Sequence, residues 1–292
     1  QETNFEYEIL LGEDHSSDNT REICIDYANR YPEKIRLFLH HRENNIKIGG
    51  QPTGRFNFLY NLYSAKGKYI ALCDGDDYWT DPLKLQKQVD FLEENEEFVV
   101  CCHNAKMIDK HHNLIREKVI TSLKNDKVYS CLELKKGAWM LTPTTVFRNK
   151  IDIINLLNQP RKLLNADMLL FSVLGKFGKG IYLEGIKPAV YRVHEGGIWS
   201  SKKNNKTYVQ WHRYQLEKVL KELHEDDKEA SLFFKKRLTD LHRKLHRNLD
   251  QLGTKQVAEL NKEYFKRNGF SVYRSKQFLK DNFKLFYRSN KY

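Results

Sequence analysis

Apolar and polar positions alternate along the first two-thirds of the chain in two periods. Tyr7-Glu-Ile-Leu-Leu-Gly12 predicts a strand closed by a turn at Glu13–Ser17. Asn19-Thr-Arg-Glu22 has capping-box spacing and predicts a helix to about Arg30. Ile35, Leu37 and Leu39 alternate with polar residues and predict a strand over Lys34–His40. After a polar loop at His41–Gly54, Phe56, Leu59, Leu62 and Tyr63 carry helical spacing. Lys68–Cys73 is nearly continuous in apolar residues, the pattern of a strand covered on both faces. Asp81-Pro82 then reads as N-cap and first helical position, opening a helix to about Asn95 with Leu85, Val89 and Leu92 inward. Phe98–Cys102 follows as a strand. The region from Ala105 to Phe147 is mixed. A helix is expected at Asn165–Phe177, and strands at Gly180–Leu183 and Ala189–Val193. This repeated β-α-β order predicts a mainly parallel sheet flanked by helices.

The texture changes near Lys203. Tyr208, Trp211, Leu216, Val219, Leu220 and Leu223 have helical spacing, as do Leu232, Phe233, Leu238, Leu241 and Leu245. Four helices are expected there, the last two at about Lys255–Arg267 and Arg274–Arg288. The division is therefore 1–202 for an α/β domain and 203–292 for a helical appendage. Charge supports the division. The whole chain carries a net charge of +12, and 205–292 alone holds 21 Lys+Arg against 11 Asp+Glu. A near-neutral body with a basic tail suggests an anionic partner for the tail.

Composition excludes several classes. With 292 residues, 40% hydrophobic and 12% aromatic, the chain can bury a sizeable core and is not a disordered protein. No apolar run approaches the roughly 18 residues of a membrane span, and no signal peptide opens the sequence. Five cysteines without C-x-x-C spacing speak against a disulfide framework or structural zinc, and for a reducing compartment. Cys73, Cys101 and Cys102 lie in apolar runs and read as small buried hydrophobes. Phosphate-loop, zincin, nucleophile-elbow, zinc-deaminase and dinucleotide signatures are absent from the sequence.

The chemistry concentrates in Tyr69-Ile-Ala-Leu-Cys-Asp-Gly-Asp-Asp-Tyr-Trp79. Asp74, Asp76 and Asp77 follow a buried strand, the edge at which open α/β sheets bind ligands. Neighbouring carboxylates repel unless a cation or hydrogen-bond donors compensate. Mg2+ and Mn2+ take oxygen ligands of this kind, commonly one or two carboxylates plus substrate phosphates. The bland alternative is an acidic turn that only caps the following helix.

Three segments in order resemble family 2 glycosyltransferases over about Phe5–Ser200. They are Ile9-Leu-Leu-Gly-Glu-Asp-His-Ser-Ser-Asp-Asn-Thr20, Lys66-Gly-Lys-Tyr-Ile-Ala-Leu-Cys-Asp-Gly-Asp-Asp-Tyr-Trp79 and Tyr191-Arg-Val-His-Glu-Gly-Gly-Ile-Trp-Ser200. The last is similar to the closing motif of the bacterial capsule and lipopolysaccharide branch. The resemblance implies a GT-A nucleotide-diphospho-sugar transferase sandwich and inverting glycosyl transfer. It assigns Asp14, with Glu13 beside it, to the donor base, and Asp74 to the ribose. It assigns Asp76 to a Mn2+ or Mg2+ ion bridging the diphosphate, with His194 reaching the metal or diphosphate. Asp77 supports the site through hydrogen bonds, and Trp199 joins the donor-binding set. Asp167, in Asn165-Ala-Asp-Met-Leu-Leu170, is the implied general base. The family more often shows Glu-Asp where this chain has Ala166-Asp167. Arg55 and Asn57, in Gly54-Arg-Phe-Asn57, are implied contacts to phosphate or ribose, with Gly49-Gly50 allowing close backbone approach. Family members also open with an apolar strand ending in Pro-Thr-Tyr-Asn or similar. Nothing before Tyr7 resembles it; the strand is missing here, and either precedes Gln1 or is lost from the chain, which would remove a central strand and half the wall of the base pocket.

The expected partners are a UDP- or GDP-linked sugar, hexosyl or N-acetylhexosaminyl, and a glycan or lipid-linked acceptor in surface polysaccharide synthesis. The expected location is cytoplasmic, peripheral at the inner face of the cell membrane through the basic helices, which are also a candidate surface for self-association. Two other readings compete. One is a GT-A-like scaffold without catalysis. The other is nucleic-acid binding by the tail, which its mixed charge and apolar helical stripes disfavour.

Overall fold

The computed structural model describes residues 1–48, 51–122, 125–138, 140–157, 163, 166–194 and 205–268. The chain opens with a parallel βαβ unit: β1 (Ile9–Glu13), α1 (Thr20–Arg30) and β2 (Ile35–Leu39), with Ile9 opposite Ile35. A two-stranded ladder, β3 (Lys47–Ile48) with β4 (Gln51–Pro52), leads to α2 (Arg55–Ser64). Then come β5 (Tyr69–Ala71), α3 (Lys84–Glu94), β6 (Phe98–Cys102), β7 (Ala105–Ile108), β8 (Leu114–Arg116) and β9 (Lys127–Tyr129). They are followed by α4 (Cys131–Lys135), β10 (Val146–Arg148), α5 (Ile151–Leu157), α6 (Ala166–Leu174), β11 (Lys179–Tyr182) and β12 (Ala189–Arg192). The C-terminal helices are α7 (Lys206–Leu223), α8 (Lys228–His246) and α9 (Thr254–Asn268). The expected helix at 274–288 and the expected boundary at 202/203 lie outside the described residues.

The central sheet has the order β5-β10-β6-β11-β9. It is mixed, not mainly parallel as the element order predicts. Only β6 and β11 run parallel, while β10 is antiparallel to both β5 and β6. The reason is geometric. The α3 crossover makes β5 and β6 point the same way but leaves one strand-width between them. Val146 and Phe147, both 1% exposed, fill that place from the opposite direction. A second sheet, β12-β7-β8, stands beside it, and β1-β2 forms its own pair.

Every residue of β6 is buried, as its continuous apolar run implies. On one side of the sheet Leu85 and Leu92 of α3 pack with Phe98, Cys101, Val146 and Ile181. On the other, Leu59, Leu62, Val100, Cys102, Phe147, Leu170 and Leu174 form the main core. That core continues into the C-terminal helices through Leu216, Leu220, Leu223, Ala230 and Phe234. Trp211, Tyr214, Leu238, Leu241, Leu245, Val257 and Leu260 make a second cluster among α7, α8 and α9. Asp227 caps α8, accepting from the backbone N–H groups of Glu229 and Ala230 at 3.1 and 3.0 Å.

Several local expectations change. Asn19 precedes α1 but its side chain makes no capping bond. Asp81 instead accepts from Leu83 N–H at 3.0 Å in a turn, and the helix proper starts at Lys84. Val89 is only half-buried, whereas Lys84 and Gln88 are fully buried on the inner face of α3. Cys101 and Cys102 are buried, but Cys73 is exposed, because the strand ends at Ala71 and the chain turns outward toward the acidic loop.

Candidate functional site

The acidic loop hangs between β5 and α3 and is tied to β12. Tyr78 and Val190 exchange backbone hydrogen bonds at 3.2 and 2.8 Å. The Trp79 indole N–H donates to the Pro143 carbonyl at 2.7 Å, and the Thr80 hydroxyl to the Pro188 carbonyl at 2.7 Å. The Arg192 backbone N–H donates to Asp77 Oδ1 at 2.9 Å, and its Nε to the Asp76 carbonyl at 3.0 Å. These bonds fix where the three carboxylates stand.

Their charge is not cancelled within the loop. Burial first, then Asp76 and Asp167, pushes the Asp74 carboxyl up to about 6. Burial also pushes Asp77 up to about 7, against the lowering hydrogen bond from Arg192, with Asp76 and Asp74 adding to the rise. Asp77 Oδ2 is buried without a hydrogen-bond partner. Asp76 Oδ2 lies 3.0 Å from His194 Nε2, and both side chains keep solvent contact. Asp167 sits in the first turn of α6, and its Oδ1 accepts from the Met168 N–H at 2.8 Å. Burial raises its carboxyl above the ordinary range. Asp74, Asp76, Asp77, Asp167 and His194 thus gather in one electrostatic neighbourhood.

The second-strand acids stand apart in role. Burial opposes ionisation of Glu13, but the hydrogen bonds from Ser16, whose backbone N–H meets Oε1 at 2.5 Å, and from His15, with the charge of Arg21, together outweigh it and lower the carboxyl. Arg21 Nε meets Glu13 Oε2 at 2.7 Å. Glu13 is therefore engaged inside the protein. Asp14 is half-buried, with Oδ1 buried and unpartnered. Burial raises its carboxyl, opposed by His40.

Asn57 and Arg55 also face inward. Asn57 Nδ2 donates to the Gly12 carbonyl at 2.6 Å and Asn57 Oδ1 accepts from Asn61 at 3.2 Å. A Cβ at Gly12 would stand 1.5 Å from Asn57 Oδ1, so any larger residue here displaces the Asn57 amide. Arg55 is buried, and its Nη2 donates to the Leu157 carbonyl at 3.0 Å. Its Nη1 is buried with no partner. Trp199 and Gly49-Gly50 lie outside the described residues.

Three residues of this site carry no role in the sequence reading. Arg192 braces the loop as described. Burial and the charges of Asp77, Asp76, Asp74 and Asp167 raise the Tyr191 hydroxyl, which places it among the four carboxylates. Lys84, fully buried, holds its Nζ 4.2 Å from the centre of the Trp79 ring and has no hydrogen-bond partner. Burial drives its ammonium down to about 7. Tyr191 and Arg192 sit inside a quoted motif, so their signal was legible; Lys84 lies in no motif.

Mn2+ or Mg2+ is the metal implied by the fold family. Among the described residues no group of three or more His, Cys, Asp or Glu is arranged to hold a metal ion. Asp76 and His194 converge as two donors beside further carboxylates. Two protein donors fit an ion that completes its shell with substrate phosphates and water.

The acidic loop stands at the end of a strand of an α/β fold, the edge where such folds bind ligands. The family model for glycosyl transferase family 2 matches residues 1–150, and the chain belongs to that family. Mb1547 from Mycobacterium bovis is 35% identical over 201 residues, covering 69% of this chain and 54% of that protein. The chain therefore spans about half the length of this relative. The dTDP-rhamnosyl transferase RfbG of Shigella flexneri is 22% identical over 229 residues, covering 75% of this chain and 76% of that one. The crystal structure of S. aureus TarS 1-349 in complex with UDP-GlcNAc aligns with a TM-score of 0.52 at 16% identity. That alignment covers 96% of this chain and 72% of TarS 1-349, and it shows a shared fold.

Proposed function

We propose that this chain is a nucleotide-sugar glycosyltransferase acting by metal-assisted inverting transfer. The observation that carries the reading is the set of uncompensated carboxylates at the end of β5, facing Asp167 and joined by His194. Such a cluster suits a cationic or cation-bridged ligand. Asp76 and His194 would hold Mn2+ or Mg2+. The ion's contribution is to neutralise charge on a leaving diphosphate. Asp74 and Asp77 shape the same site. Asp167, with a raised carboxyl at a helix start, serves as the base for an acceptor hydroxyl. Asp14 offers a buried carboxylate oxygen to a base N–H, which uracil, thymine and guanine carry. RfbG is named for a dTDP-linked donor and TarS 1-349 binds UDP-GlcNAc, which favours UDP or dTDP over GDP.

The acceptor in this reading is a glycan or lipid-linked glycan, and the sugar a hexosyl or N-acetylhexosaminyl unit. Among the described residues no helix is long and apolar enough to cross a membrane. The outer face of α8 presents Lys228, Lys235, Lys236, Arg243 and Arg247 opposite its packed face. We place the enzyme at an anionic membrane surface on the cytoplasmic side through this face. Calorimetric titration with UDP-, dTDP- and GDP-linked sugars, with and without Mn2+, tests the function. Mn2+-dependent binding of one donor class is expected; binding of none would sink the assignment.

A further inference from the structure

Beyond the shared apolar core, polar contacts tie the C-terminal helices to both ends of α6. At the far end, Ser172 Oγ lies 2.8 Å from His224 Nε2, and Lys176 Nζ donates to the Leu223 carbonyl at 2.8 Å. At the near end, Arg213 of α7 donates from Nη1 to Met168 Sδ at 3.4 Å. Met168 directly follows Asp167, and its backbone N–H bonds the Asp167 carboxylate, as does the N–H of Asp167 itself. On its other side Met168 Cε packs 3.4 Å from where a Cβ at Gly137 would stand; Gly137 has φ +84°. The first turn of α6 is bracketed between a left-handed glycine and one guanidinium.

That guanidinium is itself held. Glu217, one turn along α7, has a side chain with no solvent exposure. Its Oε1 meets Arg213 Nε at 2.8 Å and Arg237 Nε at 2.7 Å. A buried carboxylate costs free energy unless well paired; two guanidiniums pair Oε1, while Oε2 is buried without a hydrogen-bond partner. The pairing holds the guanidinium at Nε, and Nη1 reaches Met168. A thioether is a weak acceptor, so the Met168 bond orients far more than it stabilises.

We propose that Arg213, locked by Glu217, is a positioning residue that fixes the first turn of α6 and hence the Asp167 carboxylate. The C-terminal helices are then part of the catalytic unit. The inference rests on the reading of Asp167 as the base for its kinetic consequence, but not for the mechanical one. Arg237 supplies the control. It shares the same carboxylate oxygen, and its guanidinium carbon lies 5.4 Å from the centre of the Phe233 ring.

Two readouts on the full chain decide. Amide hydrogen exchange over residues 166–174 is expected to quicken in Arg213→Ala and to stay at the wild-type rate in Arg237→Ala. Met168→Leu conserves volume and removes the acceptor, so it reproduces the faster exchange without unfolding. With UDP-GlcNAc and Mn2+ as probe, kcat for nucleotide release falls about 10- to 100-fold in Arg213→Ala at unchanged KM, the scale of a misplaced catalytic group. Arg237→Ala keeps kcat although it loses a comparable part of Tm. Equal exchange in the two arginine variants overturns the strap. Faster exchange with unchanged kcat overturns its catalytic consequence. A wild type that releases no nucleotide from UDP-, dTDP- or GDP-sugars refutes the proposed function instead, and the exchange comparison still decides the strap.

Discussion

The acidic loop after β5 and the Glu217 cluster on α7 treat negative charge in opposite ways. In the loop, Asp74, Asp76 and Asp77 crowd one turn, and the donors that reach them are a backbone N–H and one imidazole. Burial and mutual repulsion push Asp74 up to about 6 and Asp77 up to about 7. At Glu217 a single carboxylate meets two guanidiniums and excludes water. Folding itself brings two guanidiniums onto Glu217 Oε1, although Oε2 is buried without a hydrogen-bond partner. At the loop, among the described residues, no guanidinium or ammonium meets a carboxylate oxygen. A charge count does not separate these sites; what separates them is whether a fixed cation meets the carboxylate after folding.

The largest break in this contrast comes from the loop's chemistry. Asp76→Ala is expected to abolish Mn2+-dependent nucleotide release while circular dichroism and Tm stay close to wild type. A variant near wild-type rate, or a parent enzyme indifferent to EDTA, removes the metal role. Asp167→Asn is expected to slow transfer by roughly 10²–10⁴-fold, the usual contribution of a general base. Donor affinity by calorimetry should hold; a loss of binding at an intact rate moves Asp167 to the donor site.

Stability sharpens the same contrast with opposite signs. Glu217→Ala leaves two guanidiniums facing each other and should cost about 2–4 kcal/mol by urea unfolding, reduced because both arginines keep solvent contact. Asp77→Asn retains an oxygen for the Arg192 N–H and relieves repulsion, so it should raise Tm without metal. Destabilisation by both would show that the loop carboxylates are compensated as fully as Glu217.

Beneath the loop, Lys84 sets a smaller, pH-dependent effect. Its ammonium titrates at about 7 folded, because burial disfavours the charge, against an ordinary value of 10.5 unfolded. Between these values the unfolded chain binds more protons, so stability rises with pH from about 7 to about 10.5. Lys84→Met should flatten that rise. An unchanged slope in the variant assigns it to another group.

The outer face of α8 is a third arrangement, with exposed charges of which Arg243 pairs with Asp240 at 3.4 Å, so folding leaves no deficit there. Its expected effect is the smallest. Vesicles with anionic lipid should retain the protein in flotation at low salt, since each Lys or Arg near such a surface contributes about 1 kcal/mol. Equal partitioning to neutral vesicles, or none to either, ends the membrane proposal.

Much of the fold was legible in the chain because its signals are local. Helices α1, α2 and α6 and strands β1, β2, β6, β11 and β12 fall where periodicity puts them, since a strand's or helix's apolar face is written in consecutive residues. The acidic loop was legible for the same reason: three carboxylates after an apolar run need no partner to be noticed. What resisted reading is what depends on partners distant in sequence. The antiparallel β10 between β5 and β6 is decided by the packing of Val146 and Phe147, roughly 75 residues from β5, and no local period encodes a neighbour. Asn57 faces Gly12, and Arg55 faces Leu157, where sequence placed both toward a ligand. Lys84 became a buried amine because α3 turned its first residue under Trp79, and Glu217 a buried carboxylate because two arginines met it from α7 and α8. Sequence alone determined which charged groups this protein carries and which elements bear them. Tertiary structure decided which of those charges are neutralised, because Coulomb energy and desolvation depend on distance and burial, and neither is written in the order of residues.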